Sequence, residues 1–172
     1  MPNSAPRRSA LAKASEKNDL IQDRTGLTIR RLYAPPGGFA GTLEMDLPAQ
    51  PNHATQDEGL SALWLAPGEW LLVGERPGLT TEIEAAGGAL TDLSHARVVF
   101  RLPADAARNT LAKGCPLDIR REIFPPGRCA QSALAGVAIL VHHLRTGDHM
   151  DIYVARSYGR FMHDWLLDAV SR

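Results

Sequence analysis

The chain has 172 residues, 44% hydrophobic and 22% charged, proportions of an ordinary globular protein that buries roughly 70% of its unfolded surface in one domain. Its 19 Lys and Arg balance 19 Asp and Glu, which leaves no basic excess for nucleic acid or for an anionic membrane surface. No window holds the ~18 apolar residues of a membrane span, and the spacing of Cys115 and Cys129 is neither a CxxC pair nor half a zinc site, so two reduced thiols in the cytoplasm are expected.

Residues 1–22 are polar and basic with no apolar run after them. They are expected to be mobile rather than a signal peptide, with 23–172 as a single domain. Gly26 to Tyr33 alternates as a strand, with Leu27, Ile29 and Tyr33 inward. After the Pro35-Pro36-Gly37-Gly38 turn, the alternation of Phe39, Gly41, Leu43 and Met45 predicts a second short strand, and Pro48 to Gly59 reads as a surface loop. Leu63 to Leu65 and Trp70 to Val73 are apolar runs joined through Ala66-Pro67-Gly68-Glu69. Pro followed by Gly suits a type II turn, so a hairpin is predicted.

Thr81 and Glu84 can form a capping box for a short helix ended by Gly87. Ala96 to Leu102 predicts a half-exposed strand, with Val98, Phe100 and Leu102 on one face and Arg97, Val99 and Arg101 on the other. Asp105 is placed to cap a helix carrying Ala107, Leu111 and Ala112, with Gly114 and Pro116 ending it. Strands follow over Cys129 to Ala135, Val137 to Leu144 and Met150 to Val154. The last helix, capped by Ser157, aligns Tyr158, Phe161, Met162, Trp165, Leu166, Ala169 and Val170 on one stripe. The predicted class is α+β, an antiparallel or mixed sheet with helices packed on it.

Little in this order points to chemistry. There is no GxGxxG, Walker loop, HExxH or GxSxG. Asp92, Ser94 and His95 offer the residue types of a triad, but neighbours on a strand face opposite ways, so Asp92 and Ser94 are expected to turn or cap backbone groups. For the same reason His142 and His143 diverge, and no histidine stands at metal spacing. Trp64, Trp70 and Trp165 sit in apolar patterns and are expected in the core. Arg120, Arg121 and Arg128 flank the rigid corner Phe124-Pro125-Pro126-Gly127. Such a loop is either a solvated rim or a docking surface, and these three arginines with Phe124 are the interface candidates. No catalytic, cofactor-binding or metal-binding residue is expected.

Several ordered blocks resemble the gamma subunit family of heterotetrameric sarcosine oxidase over about residues 60–170. LAPGEWLLV is similar to its tryptophan hairpin, with Glu69 before the second Trp. TDLSHARVVFRL is similar to its D-x-S-x-x-R strand at Asp92, Ser94 and Arg97. KGCPLDI and FPPGRCAQ, from Lys113 to Ile119 and Phe124 to Gln131, resemble its most characteristic block. YVARSYGRFMHDWL resembles its closing strand and helix, with Arg156, Ser157 and Trp165 in place.

The same order looks like a shortened folate-binding domain of the glycine-cleavage T-protein superfamily. There a Gly-Gly near the second hairpin turn precedes an acid that assists one-carbon transfer, whereas Ala135 to Leu140 contains no acid. The resemblance implies a small non-catalytic subunit. Its assembly would oxidise sarcosine to glycine, form hydrogen peroxide and pass the one-carbon unit to tetrahydrofolate. FAD, FMN, NAD and zinc would then reside on alpha, beta and delta subunits, with none on this chain, and the large folate-binding alpha subunit would be its neighbour. The alternative is a free-standing folate- or pterin-binding, aminomethyltransferase-like protein, which needs an acid in a pocket near the Trp64/Trp70 hairpin.

Overall fold

The computed structural model describes residues 18–39, 43–57 and 59–172. Among these described residues, ten strands, three α-helices and a 3-10 turn follow one another. They are β1 (Gln22–Asp23), β2 (Ile29–Tyr33), β3 (Ala54–Asp57), β4 (Leu60–Ala66), β5 (Glu69–Val73), α1 (Leu79–Ala85), β6 (Ala89–Asp92) and β7 (Arg97–Pro103), then α2 (Ala104–Leu111), β8 (Cys129–Leu134), β9 (Val137–His143), β10 (His149–Ala155), the 3-10 turn Arg156–Tyr158, and α3 (Gly159–Ser171). They build two five-stranded sheets, in the orders β3-β4-β5-β2-β6 and β1-β7-β10-β9-β8. Every strand pair is antiparallel.

The sheets pack face to face, and helices cover both outer faces. Ile29, Leu63, Leu71 and Val73 of the N-terminal sheet meet Val99, Cys129, Leu140 and Tyr153 of the C-terminal sheet in the middle layer. On the outside of the C-terminal sheet, Phe100, Leu102, Met150 and Ile152 pack under Leu111 of α2 and Met162 and Leu166 of α3. On the outside of the N-terminal sheet, Leu32, Trp70 and Leu72 pack under Leu79 and Ile83 of α1. The α+β expectation therefore holds, with two sheets in place of one. Strand β7 is buried on both faces, because Val99 is covered by the opposite sheet. The expectation of a half-exposed strand counted its arginines but could not see that second sheet.

The hairpin β4–β5 forms as predicted, with Gly68 at φ +74° in its turn. The stretch expected as a loop contains β3, whose polar residues lie at a sheet edge, paired Ala54 to Leu63. The strand expected from Phe39 to Met45 falls partly on residues 40–42, outside the described residues. Residues 43–45 are bends, and Leu43 and Met45 pack against the α1 layer without pairing.

None of the three proposed caps operates. The residues before α1, α2 and α3 are Gly78, Pro103 and Tyr158, and none makes a side-chain cap bond. Backbone serves in part: Ala104 N donates to Asp148 O, 2.8 Å, so the first turn of α2 is satisfied by the β9–β10 turn. Helix α2 stops at Leu111, short of Gly114, and Gly114 has another role. A Cβ there would lie 2.7 Å from Cζ2 of Trp165, so the missing side chain lets α3 dock.

Candidate functional site

The corner between α2 and β8 is held from within. Phe124, 3% exposed, stacks on His143 with ring centroids 6.4 Å apart and planes at 11°. The Phe124 carbonyl lies 3.0 Å from Nδ1 of His143, whose Nε2 faces the Gly147 carbonyl at 3.2 Å. Arg108 of α2 reaches across and donates to the carbonyls of Ile119 and Phe124. Burial, and then the nearby Arg121 charge, pull its pKa below the usual arginine value. Gly127 N donates to His143 O (2.9 Å), His143 N to Arg128 O (2.8 Å) and Ala54 N of β3 to Gly127 O (2.8 Å), which laces the corner to both sheets. The Pro-Pro-Gly turn is thus a fixed platform.

The four candidates occupy different depths of this platform. Phe124 faces inward, and Ile123, half exposed at 50%, is the apolar side chain left outside. Arg120 pairs with Asp118 at 2.6 Å and Arg121 with Asp105 at 2.6 Å, both on the surface. The Arg120 hydrogen bond holds the Asp118 carboxyl below the ordinary carboxylate range. Arg128 lies lower, with Nη1 2.8 Å from Nε2 of His53. Beside the rim an open depression of about 390 Å³ is lined by Asp105, Arg108, Arg121, His143 and Asp148. The rim offers paired charges on rigid backbone, a surface for recognition, and no nucleophile–base pair.

Elsewhere the reactive residue types are used structurally. Ser94 Oγ accepts from Ile29 N at 3.0 Å and donates to Ile29 O at 3.3 Å, while Ser94 N donates to Asp92 Oδ1 at 2.8 Å. These bonds fasten the strand entry, as expected for backbone-capping residues. Arg101 and Asp151 form a two-pronged ion pair at 2.7 and 2.8 Å across β7 and β10. His142 adjoins Asp151 in the same register, and burial pushes its pKa down to about 4. Cys129 follows in that row, its thiol pushed up to about 12 by burial. This buried polar row was missed in the sequence. Its one available signal is an Arg and an Asp inside otherwise apolar strands. Both cysteines are free, with Cys115 Sγ 3.4 Å from Ser132 Oγ. Among the described residues no group of three or more His, Cys, Asp or Glu could hold a metal, and no helix is long and apolar enough to cross a membrane.

Residues 38–172 match the model of the sarcosine oxidase, gamma subunit family. The chain is 32% identical over 181 residues to the sarcosine oxidase subunit gamma of Corynebacterium sp. strain U-96, covering 94% of this chain and 87% of that one. It is 34% identical over 141 residues to the subunit gamma of an Arthrobacter species, covering 77% and 68%. In structure it is similar to a chain of the heterotetrameric sarcosine oxidase from Corynebacterium sp. U-96 in complex with pyrrole 2-carboxylate. There the TM-score is 0.80 at 30% identity, over 96% of this chain and 95% of that one. Glycine cleavage aminomethyltransferase T from Bartonella henselae is similar in fold alone, with TM-score 0.58 and 17% identity, over 86% of this chain and 45% of that one.

Proposed function

The chain belongs to the sarcosine oxidase gamma subunit family, and from that premise we propose that it is the small, non-catalytic subunit of a heterotetrameric sarcosine oxidase. The observation that carries this reading is the structural likeness to a chain of the Corynebacterium heterotetramer over nearly the full length of both. In the proposed assembly, alpha, beta and delta subunits hold FAD, FMN, NAD and zinc. The reaction takes sarcosine, oxygen and tetrahydrofolate to glycine, hydrogen peroxide and 5,10-methylenetetrahydrofolate in the cytoplasm. This chain contributes its folded unit, residues 23–172, as a rigid body. Its polar side chains are engaged in its own architecture, as Ser94 and the Arg101–Asp151 pair illustrate.

The docking surface in this reading is the corner of Arg120, Arg121 and Arg128, with Phe124 stiffening it from inside. Arginines on fixed backbone lose little freedom when a partner covers them, which favours them at interfaces. The test is affinity capture of the tagged chain from cells expressing all four subunits. Larger subunits and a flavin absorption band in the eluate are expected, with peroxide released on adding sarcosine. An Arg120→Glu, Arg121→Glu double variant is expected to recover at least ~ten-fold less partner, since reversed charges repel where the native ones steer. A colourless chain eluting alone would overturn the subunit reading. Undiminished capture by the double variant would move the docking surface away from this corner.

A further inference from the structure

At the end of the sandwich opposite the corner, the two sheets part around a cleft of about 120 Å³. Leu65 and Leu71 form its wall on one side, Leu140 and Tyr153 on the other, and Arg31 and Arg97 supply its charges. The cleft is lined by hydrogen-bond donors that have no acceptor among the described residues. Arg97 has no ion-pair or side-chain hydrogen-bond partner among the described residues. Arg31 is paired to Glu69, yet its buried Nε–H is without a partner. Tyr153 is buried, and its hydroxyl also lacks a partner among the described residues. Gln131 is turned by its Nε2, which donates to the Leu65 carbonyl at 2.7 Å, and its Oε1 makes no hydrogen bond to Arg97 or Tyr153. Glu69 balances Arg31, so the Arg97 charge is uncompensated.

Arg97 is half-buried and faces the cleft with its guanidinium unpaired, and of these donors Arg31 Nε is the one fully buried without a partner. A carboxylate is the acceptor-only group that a guanidinium binds through two parallel bonds. The apolar walls set the rest of the ligand. An enclosed cavity of roughly 150 Å³ in another protein takes up benzene. This cleft, about 120 Å³ and open to solvent on one side, limits the buried part of a ligand to one ring, with any further group at the mouth. We propose that the cleft binds a small monocarboxylate carried on a single flat apolar ring or a chain of similar bulk. The carboxylate lies against Arg97 and the Tyr153 hydroxyl, and the apolar body lies between Leu71 and Leu140. The site is separate from the docking corner and does not rest on the subunit reading.

Benzoate is the probe, and benzamide is its neutral match. Titrated into the isotope-labelled full chain, benzoate is expected to produce saturable amide shifts centred on Leu65, Leu71, Arg97, Leu140 and Tyr153. Its binding should be at least ~ten-fold tighter than that of benzamide, the margin expected of a charge-assisted pair. Arg97→Gln should weaken benzoate about ten-fold and Arg97→Lys less, because the charge survives without the fork. Tyr153→Phe removes only a hydroxyl, keeps the packing, and should weaken it about three-fold, which gives a second reading if Arg97→Gln unsettles the sandwich. Equal shifts from benzamide, absence of saturation, or unchanged affinity in both Arg97→Gln and Tyr153→Phe would overturn the proposal.

Discussion

The outer faces of the two sheets are covered in different ways. Over the C-terminal sheet, two helices close a continuous apolar layer in which Phe100, Leu102, Leu111, Met150, Ile152 and Leu166 have no exposed surface. Over the N-terminal sheet lies α1, only seven residues long, and the rest of the described cover is Phe39 and the irregular stretch that carries Leu43, Met45 and Leu47. Regular elements fix one another along their whole length, whereas irregular cover is held side chain by side chain. The C-terminal half should therefore set the global stability, and the N-terminal cover should open first.

The largest effect expected from this contrast is Phe100→Ala. Removing a fully buried ring beneath both helices should cost about 3–5 kcal/mol, read as a lower urea midpoint at unchanged slope. Acidification comes next. His142 has an ordinary unfolded pKa of 6.5 and a folded value of about 4, so below the unfolded value the unfolded chain takes up a proton that the fold refuses. Stability is fully present above that pH, falls by about 3 kcal/mol between the two values and then levels off. Stability measured across that window checks it, and His142→Leu should flatten the slope.

Leu79→Ala in α1 should cost about 2 kcal/mol, with faster amide exchange confined to the outer N-terminal layer. If it lowered the midpoint as far as Phe100→Ala and loosened both sheets equally, the contrast between the two faces would fail. The smallest effect is a gain at the β8–β9 turn. Ala135 holds φ +49°, so Ala135→Gly should raise stability by about 0.5–1 kcal/mol in the same unfolding assay.

What the sequence revealed follows the same divide. The stripe of α3 was legible from its period, and β7 to β10 from their apolar runs, although burial on both faces of β7, β9 and β10 exceeds what an alternating pattern predicts. The stripe erred at its margin: Tyr158 and Phe161 are 51% and 48% exposed, while polar His163 turns inward beside Phe100, 6.1 Å between ring centroids. The polar edge strand β3 carries no apolar alternation, and only its pairing to β4 defines it. At the corner, Pro-Pro-Gly announced a rigid turn. The inward direction of Phe124 depends on His143 and Arg108, from elements on either side of it in the chain, which local spacing does not encode. The donors around the cleft left no signal in the sequence, because Arg31, Arg97 and Tyr153 share a space only once the two sheets are packed.

Native mass spectrometry of the four co-expressed subunits tests the account most directly. The predicted result is one species containing a single copy of this chain with the three larger or smaller partners and bound flavin. A spectrum in which the partners assemble without this chain, and it flies as a free monomer, would contradict it.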